Sequence, residues 1–147
     1  MKTLWDAANV RELQGRLARL DAGADRRWGT MSAPQMVAHL VDAMRMAVGE
    51  IRVPSKNLPI RFTPLKQLII YCLPFPKGAP TAPQLISRPP ADWPSESAML
   101  ATMIERFANR DQHGDWPEHP AFGRLTGRQW GVLAYRHIDH HFRQFGV

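Results

Sequence analysis

The chain has 147 residues, 44% of them hydrophobic, a single cysteine and a formal net charge of +6. That length suits one domain, 1–147, with a sizeable core, and the apolar content excludes a disordered chain. One cysteine excludes an intrachain disulfide, no stretch approaches the roughly 20 apolar residues of a membrane span, and no apolar leader opens the chain, so a cytoplasmic protein is expected.

The first predicted element is a helix from Leu4 to Asp21, with Val10, Leu13, Leu17 and Leu20 as its apolar stripe and Gly23 beyond its end. A second starts at Ser32, where Ser32 and Gln35 have capping-box spacing and Pro34 fits a first turn. Met36, Val37, Leu40, Met44, Ala47 and Val48 form its stripe, and Gly49 stops it. His39 lies at the edge of that stripe.

Residues 50 to 94 read as a long proline-rich crossover. Within it, Thr63 can cap a short apolar helix whose first residue is Pro64 and whose last is Leu73. The crossover holds the charge excess: Arg52, Lys56, Arg61, Lys66, Lys77 and Arg88 lie between Ile51 and Ala91 with no acid among them. These cations are spaced out and no basic helix with interleaved aromatics accompanies them, so a nucleic-acid partner is not expected. A connection this long in a compact domain covers something or carries function. One expectation is a lid or rim over a site, with Arg52, Lys56 and Arg61 attracting an anionic small-molecule substrate; the other is a segment that only adds core. Leu68, Ile69, Ile70, Leu73 and Phe75 offer apolar surface for a homodimer. Cys72, in an apolar run, reads as a small buried hydrophobe.

A third long helix is predicted from Ser95 to Asn109, with Met99, Met103, Ile104 and Phe107 inward. The last runs from Thr126, paired with Gln129 in another capping box, to Gly146. On it Trp130, Leu133, Ala134, His137, His141 and Phe145 share one side. Histidines four residues apart on a helix stand roughly 6 Å from one another, which lets both imidazoles bind one metal ion. The plainer reading is a pair of core histidines satisfied by their neighbours.

Four long helices suggest an all-α four-helix bundle. His39 lies about 9 Å from the start of its helix, and the midpoint of His137 and His141 about 9 Å from the end of theirs. Those levels coincide when the two helices are antiparallel. Of two competing layouts, up-down-up-down and up-down-down-up, only the second makes them antiparallel, and the long crossover permits it. His39, His137 and His141 are therefore the candidate ligands of a divalent metal, and nitrogen ligation suits zinc, nickel or iron.

Other polar residues near the last helix have weaker standing. His140 could be an alternative ligand, a group behind the ligands or a surface residue. Asp139 points away from the stripe and is rejected as a general base. Asp42, one turn after His39, could orient that ring or simply be solvated. His119, before Pro120, could fix the entry to the last helix, and Arg143 and Gln144 could touch substrate.

Two segments carry a resemblance. Trp28-Gly29-x-Met31-Ser32-x-x-Gln35-Met36-x-x-His39-Leu40 is one. The other is His119-Pro120-Ala121-Phe122-Gly123-Arg124-Leu125-Thr126, followed by Tyr135-Arg136-His137-x-x-His140-His141-x-Arg143-Gln144-Phe145. They resemble the DinB/YfiT-like superfamily, and within it an uncharacterised domain-of-unknown-function branch. The resemblance implies an up-down-down-up four-helix bundle and a divalent metal held at the positions of His39, His137 and His141. It also implies kinship with transferases and isomerases that use low-molecular-weight thiols. The expected function is a metal-dependent transferase or hydrolase acting on a small molecule, a thiol or an anion. The alternative is a non-catalytic stress-response or binding module with structural histidines.

Overall fold

The computed structural model describes residues 1–78, 81–86 and 88–147. Among the described residues there are five α-helices and no strand: α1 Ala7–Arg19, α2 Ala33–Ala47, α3 Leu65–Tyr71, α4 Trp93–Ala108 and α5 Gly127–Gln144. None is long and apolar enough to cross a membrane.

α1 begins three residues later than the stripe suggested, because Asp6 is its cap and accepts a hydrogen bond from the Ala8 N–H at 2.8 Å. The residues before it work as an anchor. The Leu4 N–H donates to the Gly131 carbonyl at 3.1 Å, and Trp5 Nε1 donates to the Gly127 carbonyl at 2.9 Å. Glycine is required there: a Cβ on Gly131 would stand 2.2 Å from Trp5 Nε1.

α2 opens with both bonds of the expected capping box, Ser32 N–H to Gln35 Oε1 at 2.8 Å and Gln35 N–H to Ser32 Oγ at 3.4 Å. It is buried on nearly every side and packs on α4, α5 and the short 3-10 turn Pro83–Leu85. A helix apolar all round belongs at the centre of a core. α4 starts at Trp93, with Asp92 rather than Ser95 at its cap, where the carboxylate accepts from the Ser95 N–H at 3.1 Å. Leu100, Met103, Ile104 and Phe107 face inward; Met99, expected among them, is 48% exposed. α1 packs on α4 and α5, and one hydrophobic cluster draws on all five helices.

The crossover is less regular. Pro64 occupies the cap position of α3 instead of its first turn, and Thr63 gives no capping bond. α3 packs on α5 and sinks Ile70 completely, while Leu65, Leu68 and Leu73 stay exposed. Cys72 is exposed, not buried. α5 carries its own complete capping box, Thr126 N–H to Gln129 Oε1 at 2.9 Å and Gln129 N–H to Thr126 Oγ1 at 3.2 Å. It buries a broad face that includes Trp130, Leu133, Ile138, His141 and Phe142.

Candidate metal centre

α2 presents His39 and α5 presents His137 and His141 to a common point. His137 Nε2 stands 3.1 Å from His39 Nε2 and 3.2 Å from His141 Nε2, and one nitrogen from each ring lies within 4.8 Å of the others. Bonds of about 2.0–2.1 Å to one ion place two ligand nitrogens about 2.9 Å apart at a right angle and about 3.3 Å apart at a tetrahedral angle. The two measured separations fall between these values.

The far nitrogens of two rings show what the near ones can do. His39 Nδ1 lies 3.1 Å from the Leu85 carbonyl oxygen, which only accepts. Nδ1 of a neutral His39 therefore carries the proton, and Nε2 is a bare lone pair. His141 Nδ1 lies 2.9 Å from Gln144 Oε1, and Gln144 Nε2 donates to the Trp28 carbonyl at 2.6 Å. Nδ1 of neutral His141 is thus also the donor, and its Nε2 is also bare. Gly29, with φ of +80°, makes room for this clamp; a Cβ there would stand 2.4 Å from Gln144 Nε2. Two lone pairs converge on His137 Nε2, which has at most one proton to give. Hydrogen bonding satisfies one of them at best, while a cation satisfies all three nitrogens at once.

Extra protons are disfavoured. Burial lowers the pKa of His39, which is 3% exposed, although the Leu85 carbonyl and Asp42 oppose the shift. Burial, followed by repulsion from His39, lowers His141 to about 3. Burial and the neighbouring imidazoles hold His137 well below its ordinary value. Neutral, desolvated imidazoles are the form that binds a metal.

The other candidates fall outside this convergence. Asp42 is buried but pairs with Arg88 at 3.3 Å and makes no hydrogen bond to His39, so the Leu85 carbonyl orients that ring instead. Gln144, expected to touch substrate, is 3% exposed and holds His141. The Arg143 side chain is 70% exposed and pairs with Asp139, which also binds Arg16 at 2.6 Å and is unfit as a base. His119 Nδ1 accepts from the Ala121 and Phe122 N–H groups at 3.1 and 3.2 Å, fixing the turn that leads into α5. His140 stands beside the centre, its ring 5.3 Å from that of His141, 5.7 Å from Trp28 and 6.0 Å from Phe75.

The crossover does reach the centre, by residues other than those expected. Phe75 lies 6.5 Å from the His137 ring, and Leu85 touches His39. Arg88 fastens the second approach by pairing with Asp42 of α2 and Glu96 of α4. Arg61 instead binds the Lys56 carbonyl and Glu118, and the Lys56 N–H binds the Pro120 carbonyl, so both sit at the turn before α5. The roles of Leu85 and Trp28 are played by backbone carbonyls, which side-chain identity does not advertise.

Comparison with curated proteins and with solved structures found no match. A family model described as "protein of unknown function (DUF1569)" matches residues 5–146, almost the whole chain, and the chain belongs to that family.

Proposed function

We propose that His39, His137 and His141 together hold one divalent metal ion, and that the chain is a metal-dependent enzyme. Transferase or hydrolase chemistry on a small molecule, with a low-molecular-weight thiol as a cosubstrate, is the reading that suits this centre and the DinB-like resemblance. One observation carries it: two bare Nε2 lone pairs, fixed by the Leu85 carbonyl and by Gln144, face a third imidazole nitrogen that has one proton at most to share. Three protein ligands leave a coordination position open, the pattern of catalytic rather than structural sites. Zinc, nickel and iron all accept such nitrogen ligands.

The protein's own part is to hold His39 and His141 in one tautomer and to keep all three rings neutral by burial. When bound, the ion would lower the pKa of a water or thiol and polarise a substrate oxygen. Among the described residues no carboxylate hydrogen-bonds to the three histidines, which favours a deprotonation driven by the ion over one by an acidic side chain.

The larger frame belongs to the same proposal. α1, α2, α4 and α5 are read as a single-domain four-helix bundle in up-down-down-up order, consistent with His39 meeting His137 and His141 at matching levels. A cytoplasmic homodimer, joined through the exposed Phe62, Leu65, Leu68 and Leu73, fits the apolar surface of the crossover. A non-catalytic module with structural histidines is favoured by one fact alone: 3.1 and 3.2 Å are also hydrogen-bond distances. Metal analysis by mass spectrometry, on the parent and on His137→Ala, separates the readings. About one ion per chain, lost in the variant, supports the metal centre. No metal in either sample leaves the histidines structural.

A further inference from the structure

Four side chains stand beside the centre: Trp28, Phe75, Lys77 and His140. The rings of Trp28, Phe75 and His140 lie 5.7 and 6.0 Å apart around His140, and Lys77 Nζ stands 4.5 Å above the Trp28 ring. Phe75 is held in place from behind. The Arg136 guanidinium stacks on it at 4.9 Å and donates to the carbonyls of Ile69, Ile70 and Leu73.

The polar groups of this frame are short of partners. Trp28 Nε1 is shielded from solvent and has no acceptor. A buried N–H in a native fold is nearly always paired, so this one is a donor waiting for a partner. Lys77 Nζ has neither an ion pair nor a hydrogen bond among the described residues, and neither ring nitrogen of His140 has one. The nearest carboxylate along α5, Asp139, is committed to Arg16 and Arg143. The frame therefore offers a cation, an unpaired imidazole and an unpaired buried N–H, set in aromatic walls, beside three converging histidines.

We propose that Trp28, Phe75, Lys77 and His140 form a recognition subsite for a small oxyanion that carries a flat apolar portion. The anionic end would accept from Lys77 and the Trp28 N–H, and the apolar portion would lie against the rings. The inference rests on the metal reading for what happens next to the anion, but not for its binding. It also moves the anion-attracting role from Arg52, Lys56 and Arg61 to Lys77.

The test uses benzoate, phenyl phosphate and the neutral benzamide as probes, titrated calorimetrically into zinc-treated and metal-free protein, with zinc content measured on the same samples. At least one anion is expected to bind more than about tenfold tighter than benzamide, the effect of one charged hydrogen bond. Lys77→Met should remove most of that preference without changing zinc content, and Trp28→Phe, which keeps the ring but not the donor, should weaken the anion by several fold. Benzoate over phenyl phosphate, or the reverse, assigns the oxyanion as carboxylate or phosphate. Zinc-loaded protein that ignores both anions, or whose anion affinity survives both substitutions, overturns the subsite and leaves the metal reading standing. Protein that takes up no zinc yet binds an anion through Lys77 overturns the metal reading and leaves the subsite.

Discussion

α5 delivers His137 and His141 from one helical face, four residues apart, on a helix that closes its own capping box. The crossover delivers the Leu85 carbonyl and the Phe75 ring from residues that share no period, held by arginine contacts that span long stretches of sequence. Arg88 reaches back across 46 residues to Asp42, and Arg136 reaches across 66 to Ile70. Local geometry sets two of the ligands, and contacts between distant segments fix the His39 tautomer, hold the Gln144 clamp and shape the surroundings. A helix can therefore carry two of the three ligands in any context, but the state of those ligands depends on what closes over them.

Removing a ligand should break the α5 side outright. His137→Ala is expected to take bound metal from about one ion per chain to none, read by mass spectrometry. Loosening the crossover side should cost stability first. Arg88→Met would leave Asp42, under 5% exposed, with only the Arg45 guanidinium at 3.8 Å, and Glu96, equally buried, with only the Ala91 N–H. The expected loss is about 2 kcal/mol by urea unfolding, since two buried carboxylates lose their main charged donor. An unchanged unfolding midpoint would show that the crossover needs no such pin.

Acid should probe the turn before α5 separately from the metal ligands. Burial lowers the His119 pKa to about 4, and its Nδ1 lone pair accepts two backbone N–H bonds. The unfolded chain binds this proton near pH 6.5 and the folded chain only near 4. Stability from this group is thus fully present above 6.5 and is lost as pH falls towards 4. In metal-free protein, His119→Asn, whose side-chain oxygen can take the place of Nδ1, should flatten the decline of melting temperature between pH 6.5 and 4. Equal slopes would remove His119 from the account.

A smaller effect sharpens the comparison at the ligand clamp. Gln144→Leu keeps α5 intact but deprives His141 Nδ1 of its acceptor, and metal affinity should fall about 10- to 100-fold. A competition titration with a chelating dye would measure it, and parental affinity would mean that the clamp is only structural. The smallest effect is expected at Arg52, which is exposed and makes no ion pair among the described residues. Arg52→Gln should change stability by no more than about 0.5 kcal/mol and leave metal content as it was.

Particular residues mark how far the sequence could be read. The capping boxes at Ser32 and Thr126, the stripe of α5 and the three histidines follow from short-range spacing, because a helix fixes direction at 100° per residue. Their convergence could be anticipated from length alone, since 1.5 Å of rise per residue places His39 and the α5 pair at the same level. Starts of α1 and α4 were misplaced by two or three residues, because Asp6 and Asp92 cap them through bonds that compete with the apolar pattern. The partners of Asp42 and Gln144 were not legible for a different reason. Asp42 is claimed by Arg88 and Gln144 by the Trp28 carbonyl, contacts that close only when distant segments pack.

What the sequence by itself determined was the set of helices, the face each buries and the three imidazoles that can share an ion, all consequences of local periodicity. What only the tertiary structure decided was which nitrogen of His39 and of His141 is bare, which cation stands near the centre and what covers it. Those depend on backbone carbonyls and on loop paths, and neither a carbonyl nor a path is written in the identity of the residue that supplies it.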